Sequence, residues 1–198
     1  MRDLISHSIE LASGALHVLQ PCEAAELPDD GPVEWAPIAP YWAVLWRSGV
    51  ALAHELDRLA LDGLRVVELG CGLALPSLAA ARAGATVLAT DVDPEALELV
   101  ERNAAANGLR VQTAVVDWTN ADDLVLLGPF DLALAADVLY ERQSVRPLLD
   151  LLARLAPEAW LADPGRPAAA AFLEQARPVE TRVRGVVRLY RLSGGRPR

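Results

Sequence analysis

The chain has 198 residues, 53% of them hydrophobic, and a formal net charge of −9 at pH 7. This length predicts a single domain whose core needs neither disulfides nor a metal ion for stability. The acidic charge disfavours a nucleic-acid backbone as substrate, because phosphate binding requires a basic surface, and it suits a cationic substrate better. All 18 basic residues are arginine, which excludes chemistry that depends on a lysine of the protein itself.

The sequence lacks the features of a membrane-spanning, secreted or metal-binding protein. No apolar stretch is long enough to span a bilayer, and the first residues lack a hydrophobic signal core. The two cysteines, Cys22 and Cys71, and the three histidines, His7, His17 and His54, have no metal-ligand spacing. We therefore expect a cytoplasmic protein without disulfides or metals, and its size is compatible with a monomer.

The first predicted element is a β-hairpin over residues 8–20, centred on Ala12-Ser13-Gly14. It belongs to an N-terminal extension, residues 1–40, which we expect to lie across the fold. Residues 41–198 form the core of the domain. This core begins with a tryptophan-rich segment and a helix over residues 49–60.

A glycine turn follows the first strand of the core. Residues 65–72 form an apolar strand that ends in Glu68, Gly70 and Gly72. The turn requires glycine, because a side chain would block both the positive φ angles and the close approach of the backbone to a ligand. The next strand is followed by a second acid, Asp91. This combination predicts a site for a nucleoside cofactor.

A dinucleotide site is the alternative for this turn. The pattern G-x-G-x-x-G would place its third glycine at position 75, which is Leu75, so the pyrophosphate loop is incomplete. Glu68, two residues ahead of Gly70, suits a cofactor that carries an ammonium and a carboxylate rather than two phosphates. The strand and its turn resemble motif I of the class I S-adenosylmethionine-dependent methyltransferases.

Beyond the turn, helices and strands alternate, which is typical of a doubly wound α/β sheet. Helices are predicted at residues 75–82, from Pro94 to the stop signal Asn107-Gly108, and at residues 144–155; strands are predicted at 86–90, 111–116, 130–136, 159–162, 179–185 and 186–192. The last two strands alternate apolar with polar residues and fit an antiparallel pair at an edge of the sheet.

Four short motifs occur in order along the chain: Pro40-Tyr41-Trp42-Ala-x-x-Trp46, Glu68-Leu-Gly-Cys-Gly72, Asp117-Trp118 and Asp137-Val-Leu-Tyr140. An isolated tryptophan pair would favour burial in the core. In this order and spacing, however, the motifs resemble the seven-β-strand protein methyltransferases of the lysine-modifying group. Within that group, Ala-Asp-Pro-Gly-Arg-Pro at residues 162–167 adds a resemblance to the electron-transfer-flavoprotein β-subunit lysine methyltransferases and their bacterial relatives. The similarity covers residues 35–167, and it departs from many relatives at Arg47, where they carry proline.

The resemblance implies a Rossmann-like seven-stranded sheet with helices on both faces and an antiparallel last strand. It also implies S-adenosylmethionine as the cofactor. By family role, Trp46 would border the methionine end of the cofactor, and Gly70, Cys71 and Gly72 would pack against it through their backbone. Glu68 would orient that turn, and Asp91, with Val92 beside it, would hold the ribose. Asp117 and Trp118 would hold the adenine, and Ala135 and Ala136 would line the floor of the site. A buried core aromatic is the alternative for Trp118.

Two residues just past the fourth predicted strand, Asp137 and Tyr140, are the candidate catalytic residues. They follow the carboxyl end of that strand, where open α/β sheets bind their ligands. Asp137 would hold and align an acceptor ammonium, and Tyr140 would narrow the channel and hydrogen-bond the amine. The structural alternative is that Asp137 caps the following turn and Tyr140 is a packing residue.

The sequence therefore predicts a methyltransferase that acts on a lysine side chain of an acceptor protein. Methyl transfer to a small-molecule amine or to another protein nucleophile is the second possibility. A third is an interaction protein that binds S-adenosylmethionine without turning it over. Methylation of nucleic-acid bases is disfavoured, because Asp-Val-Leu-Tyr at residues 137–140 stands in place of the Asn/Asp-Pro-Pro-Tyr motif of many amide and adenine methyltransferases.

Overall fold

A computed structural model describes residues 3–24, 40–118 and 121–193. Its strands are β1 (Leu4–Leu11), β2 (Gly14–Pro21), β3 (Arg65–Leu69), β4 (Thr86–Asp91), β5 (Gln112–Val115), β6 (Leu132–Ala136), β7 (Glu158–Asp163), β8 (Glu180–Arg184) and β9 (Val187–Ser193). Its α-helices are α1 (Arg47–Leu56), α2 (Leu75–Arg82), α3 (Pro94–Ala106), α4 (Asp122–Leu126), α5 (Val145–Leu155) and α6 (Pro167–Ala176).

Seven of the strands form one mixed sheet in the order β5-β4-β3-β6-β7-β9-β8. The pairs among β3 to β7 are all parallel, whereas β9 lies antiparallel between β7 and β8. The predicted Rossmann-like sheet with an antiparallel last strand is therefore confirmed. Its strand order reverses at β3, between β4 and β6, which is where open α/β sheets form a ligand crevice.

Helices cover both faces of the sheet, which explains why its central strands are mostly apolar. Val66 points into a cluster with residues of α1 and α2, such as Leu52 and Leu78. Its neighbour Val67 points to the opposite face and belongs to a cluster with Leu148 of α5. No helix in the described residues is long and apolar enough to span a membrane.

The N-terminal hairpin, β1 and β2, is attached to α3 by two asparagine side chains. Asn103 accepts the N–H of Leu19 at 2.7 Å, and Asn107 accepts the N–H of His17 at 2.8 Å and donates to the carbonyl of the same residue. These side chains supply polar partners to the exposed edge of β2, as a further strand would. The predicted hairpin is confirmed, although the rest of the N-terminal extension, residues 25–39, lies outside the described residues.

All predicted strands occur, but the helices differ from the prediction in three places. The helix predicted at residues 49–60 is α1, which begins two residues earlier, at Arg47, and ends four residues earlier, at Leu56. Two helices were not predicted, α4 and α6. The first has only five residues, too few to show a helical period, and the second contains the alanine run 168–171, in which no apolar stripe stands out.

Candidate active site

A cleft of about 560 Å³ opens at the carboxyl ends of β3, β4 and β6. Its wall contains the turn after β3, the start of α1, the end of β4 and the loop after β6. The predicted site residues in this wall are Trp46, Glu68, Gly70, Cys71, Gly72, Asp91, Val92, Trp118, Ala136, Asp137 and Tyr140. The structure therefore brings together side chains from four separate motifs of the sequence.

The glycine turn has the left-handed backbone that its sequence requires. Gly70 has φ +61° and Gly72 has φ +51°, both in the region where a side chain is disfavoured. A Cβ atom on Gly72 would lie 2.9 Å from the carbonyl oxygen of Trp42. The short 3₁₀ turn Tyr41–Ala43 thus packs directly against the glycine turn, with no room for a side chain between them.

Glu68 is buried and is bound to the first turn of α2. Its Oε2 accepts the backbone N–H of Ser77 at 2.9 Å and also the hydroxyl of the same serine. Burial raises the pKa of Glu68 to about 8, and these two hydrogen bonds only partly offset this effect. These bonds connect β3 to the helix that follows the glycine turn.

Asp91, at the end of β4, uses one oxygen for each of two backbone N–H groups. Oδ2 accepts from Gly72 at 2.9 Å, and Oδ1 accepts from Asp93 at 3.0 Å. Burial raises the pKa of Asp91, and these hydrogen bonds oppose the rise. A carboxylate oxygen can accept more than one hydrogen bond, so both oxygens keep capacity for hydroxyl groups of a ligand in the cleft.

Asp137 follows β6 in a left-handed conformation, with φ +61°, which is uncommon for a residue other than glycine. Its Oδ2 accepts the backbone N–H of Ser48 at 3.3 Å, so Asp137 caps the N-terminus of α1 from a distant part of the chain. Its Oδ1 lies 2.7 Å from the Arg166 guanidinium. Burial raises the pKa of Asp137, whereas the charge of Arg166 and the bond from Ser48 lower it.

Arg166, which was not among the predicted site residues, is part of the cleft wall. Its guanidinium carbon lies 5.4 Å from the centre of the Trp46 ring, within the range of a cation–π interaction. The sequence contained a signal for it, because Arg166 lies in the segment 162–167 that carries the family resemblance. Its site role did not follow from that segment, since its partner Asp137 is far away in sequence.

Trp46 is held by the segment before it. The indole Nε1 donates to the carbonyl of Tyr41 at 3.1 Å, and Gln20 of the hairpin donates to the carbonyl of Ala43 at 2.9 Å. Arg47, which replaces the proline of many relatives, is the first residue of α1. Proline is favoured at this helix position, so the change to arginine leaves the start of the helix where a proline would also place it.

The remaining predicted residues differ in their access to the cleft. Tyr140 and Val92 lie in its wall and are more than half exposed, whereas the thiol of Cys71 is buried, which raises its pKa well above the usual range. Ala135 is buried and lies outside the cleft wall. Asp117 is exposed and also lies outside it, although the neighbouring Trp118 contributes to the wall.

The described residues contain no group of histidine, cysteine and acidic side chains that could hold a metal ion. Besides Glu68, which keeps its proton at neutral pH because burial raises its pKa to about 8, the cleft combines four carboxyl groups with one guanidinium: Asp91, Asp93, Asp137, Glu141 and Arg166. Such a lining favours a cationic ligand, because opposite charges attract more strongly in a partly desolvated cleft than in water.

The architecture has known counterparts. The 16S rRNA methyltransferase RsmC of T. thermophilus, solved in complex with AdoMet and guanosine, superposes with a TM-score of 0.68 at 17% sequence identity, covering 96% of this chain and 50% of that chain. At this level of identity the likeness concerns the fold alone. Fold and cleft together define the class: a Rossmann-like domain with the architecture of class I methyltransferases.

Residues 41–160 match the profile of a protein family described as lysine methyltransferase. The match covers more than half of the chain, and the chain belongs to this family, as the sequence motifs predicted. The family match includes the motifs of the cleft at residues 41–140, but it ends before residues 162–167 and so does not include Arg166.

Several curated relatives are similar to this chain. Protein N-lysine methyltransferase METTL21A of Danio rerio is 37% identical over 120 residues, which are 57% of this chain and 55% of the relative. The electron transfer flavoprotein beta subunit lysine methyltransferase of Xenopus laevis is 33% identical over 144 residues, 68% and 56% of the two chains. Histone-arginine methyltransferase METTL23 of Homo sapiens is 33% identical over 111 residues, 53% and 58%. The chain spans about half the length of the curated relatives it matches.

Proposed function

We propose that this protein is an S-adenosylmethionine-dependent methyltransferase that methylates lysine side chains of an acceptor protein. The observation that carries the proposal is the family match over residues 41–160, which includes most of the cleft wall. We also propose that the protein is a monomer, that it works in the cytoplasm, and that its substrate is a protein rather than a nucleic acid. The net charge of −9 supports a cationic acceptor.

The residues of the cleft fit the proposed cofactor. The glycine turn packs closely in the wall of the cleft, because a Cβ atom would lie 3.2 Å from Val138 at Gly70 and 2.9 Å from Trp42 at Gly72. Asp91 keeps acceptor capacity for two ribose hydroxyls. Trp46 would border the methionine end, and Glu68 would orient the glycine turn through its bonds to Ser77. Trp118 would provide an apolar wall for the adenine, with Asp117 next to it in sequence as the proposed hydrogen-bond acceptor.

When bound, S-adenosylmethionine supplies a methyl group on a sulfonium, which an amine accepts by direct displacement without a covalent enzyme intermediate. The chain's own task is then to present a neutral amine in line with that methyl group. The carboxyl group of Asp137 would orient the amine, using the lone pairs that Ser48 and Arg166 leave available. Burial raises the pKa of Tyr140, so its hydroxyl stays protonated at neutral pH and can hydrogen-bond the amine.

The test is to incubate the purified protein with methyl-labelled S-adenosylmethionine and lysate of the source organism, and then to analyse the labelled amino acids. Because the 198-residue chain contains no lysine, a lysine-free tag makes any methyl-lysine attributable to the acceptor rather than to the enzyme. Labelled lysine in a protein band would support the proposal. Labelled small molecules without labelled protein would contradict it, and so would the absence of any label despite cofactor binding, which would favour the non-catalytic interaction protein.

An Asp137→Ala variant tests the assigned role of this carboxylate, with Asp150→Ala as a matched control. Asp150 is exposed and pairs with Arg146 on the surface of α5. We expect the Asp137 variant to bind cofactor and lose turnover, and the Asp150 variant to behave like the wild type. A wild-type methylation rate in Asp137→Ala would overturn the role of Asp137.

A second candidate function is methylation of another protein nucleophile, an arginine side chain in particular. The observation in its favour is the similarity to a relative named as a histone-arginine methyltransferase. The same labelling experiment separates the two, because acid hydrolysis of the labelled protein yields methyl-lysine in one case and methyl-arginine in the other.

A further inference from the structure

Arg166 contacts both the main chain and the side chain of Asp137. Its Nη1 donates to the carbonyl oxygen of Asp137 at 3.0 Å, and its Nη2 lies 2.7 Å from Oδ1. The Arg166 side chain is 16% exposed and that of Asp137 is 6% exposed, so water competes little with this ion pair. The same guanidinium lies over the ring of Trp46. Arg166 thus contacts two predicted site residues, Trp46 and Asp137, that belong to different motifs of the sequence.

The loop between β7 and α6 fixes the position of Arg166. Asp163 Oδ1, at the end of β7, accepts the backbone N–H groups of Gly165 at 2.6 Å and of Arg166 at 2.7 Å. Gly165 has φ +94°, a conformation that glycine adopts without strain. The Arg166 backbone is therefore held independently of its side chain, so that the guanidinium has a fixed position from which to contact Asp137 and Trp46.

Asp137 requires such support because its backbone is in a disfavoured conformation. A residue other than glycine at φ +61° is held there only when its surroundings determine it. Three elements contribute: the carbonyl of Ala162 in β7 accepts the Asp137 N–H at 3.0 Å, Ser48 in α1 donates to its carboxylate, and Arg166 binds its carbonyl. Of these partners, Arg166 also lies over the ring of Trp46.

We propose that Arg166 is a positioning residue of the methyl-transfer site, which acts through Asp137 and Trp46 to fix the wall of the cleft where the acceptor amine is aligned. The inference rests on the proposed function for the transfer step, but the contacts themselves do not depend on it. Lysine cannot replace this arginine, because an ammonium lacks the planar group that donates to the carbonyl and pairs with the carboxylate while lying over an indole.

Arg166 also affects the charge of Asp137. Burial raises the pKa of this carboxyl group, the Arg166 guanidinium opposes that rise, and the nearby Asp163 adds to it. The N-terminus of α1 faces Asp137 through the N–H of Ser48, and Glu68 of β3 lies in the same cleft wall. Loss of the guanidinium would leave Asp137 buried among acidic groups, so its pKa would rise further.

The experiment compares Arg166→Gln and Arg166→Lys with the wild type and with Arg146→Gln, a change of an exposed arginine on α5. Circular dichroism confirms folding. Carboxyl ¹³C NMR follows the titration of Asp137, assigned with Asp137→Asn, and the labelling rate from methyl-labelled S-adenosylmethionine and lysate measures turnover. In Arg166→Gln we expect the Asp137 midpoint to rise by at least about one pH unit and turnover to fall at least about tenfold.

In Arg166→Lys we expect a titration of Asp137 close to that of the wild type, because the charge is kept, together with reduced turnover, because the geometry is lost. The Arg146→Gln control should change neither readout. An unchanged Asp137 titration in Arg166→Gln would overturn the inference, and so would a shifted titration with wild-type turnover. If the wild type itself labels nothing, the proposed function and the transfer role fall together, while the titration still reports separately on the Asp137–Arg166 pair.

Discussion

Gly72 donates its backbone N–H to Asp91 Oδ2 at 2.9 Å, which joins the glycine turn after β3 to the acid that ends β4. The two residues are brought together because β3 and β4 are parallel neighbours, with Leu69 paired to Thr90. A ligand held by Asp91 would therefore also be placed against the glycine turn. This coupling makes the two motifs one binding unit, and changes at either should affect the same affinity.

Asp91→Ala should weaken the binding of S-adenosylmethionine by at least about tenfold, because hydrogen bonds to a charged group each contribute about 1.5–3 kcal/mol. The variant also removes the acceptor for Gly72 and Asp93, so folding is checked first by circular dichroism. Isothermal titration calorimetry measures the affinity, with Asp150→Ala as a surface control. An affinity within about twofold of the wild type would show that Asp91 does not hold the cofactor.

Gly72→Ala should reduce both stability and cofactor affinity. Its φ of +51° would cost an alanine about 1–2 kcal/mol. The added Cβ, 2.9 Å from the Trp42 carbonyl oxygen, would add about 1–3 kcal/mol of strain. Urea denaturation measures the loss of stability.

Gly108→Ala is the matched control for Gly72→Ala. Gly108 has a similar φ of +67°, but nothing lies within 4 Å of the position of its Cβ. The control should therefore show the conformational cost alone. Equal losses of stability in the two variants would mean that the contact between the 3₁₀ turn and the glycine turn is not tight.

The raised pKa of Glu68 predicts a loss of stability with increasing pH. The folded protein binds the Glu68 proton up to about pH 8, whereas the unfolded chain releases it near its ordinary value of 4.5. Between these values the folded state binds more protons, so the free energy of unfolding falls as the pH rises, by up to about 1.4 kcal/mol per unit. Well below pH 4.5 and well above pH 8, Glu68 does not make the free energy of unfolding depend on pH.

Urea denaturation of the wild type and of Glu68→Gln between pH 5 and pH 8 checks this prediction. The glutamine oxygen can still accept from Ser77, so the substitution removes the titration while keeping the hydrogen bonds. Burial also raises the pKa values of Asp91, Asp137 and Asp163, which give slopes of the same sign in both proteins. The difference between the two curves therefore belongs to Glu68, and parallel curves would show that Glu68 is already ionised in the folded protein.

Local signals in the sequence predicted much of the fold. Helix α2 has the predicted bounds, residues 75–82, because Pro76 marks its first turn and Gly84 follows its end. The central strands follow from apolar runs that are buried on both faces of the sheet, and the last two follow from the alternation of apolar and polar residues. The alanine-rich α6 has no such signal, because alanine favours a helix without showing which face is buried.

The candidate site was predictable where its residues lie in short motifs, several of which end a strand. Asp91 and Gly72 belong to this group. The network around Asp137 was not predictable, because Ser48 and Arg166 reach it from elements 89 and 29 residues away in sequence. Those contacts depend on the pairing of β6 with β7 and on the packing of α1 beside them. The structural alternative placed Asp137 as a cap of the turn that follows it, whereas the N–H that it accepts belongs to Ser48 of α1.

Arg47→Pro should stabilise the protein by about 0.4–1 kcal/mol. Position 47 is the first residue of α1, where the N–H has no acceptor within the helix, and the preceding Trp46 is extended with ψ 137°, as a residue before proline prefers. Ser48→Pro, one residue later, should instead destabilise the protein by about 1–3 kcal/mol, because it removes the N–H that Asp137 accepts and leaves a buried carboxylate oxygen without that partner. Thermal and urea denaturation of both variants measure the difference, and the opposite order of stabilities would show that Asp137 does not cap α1.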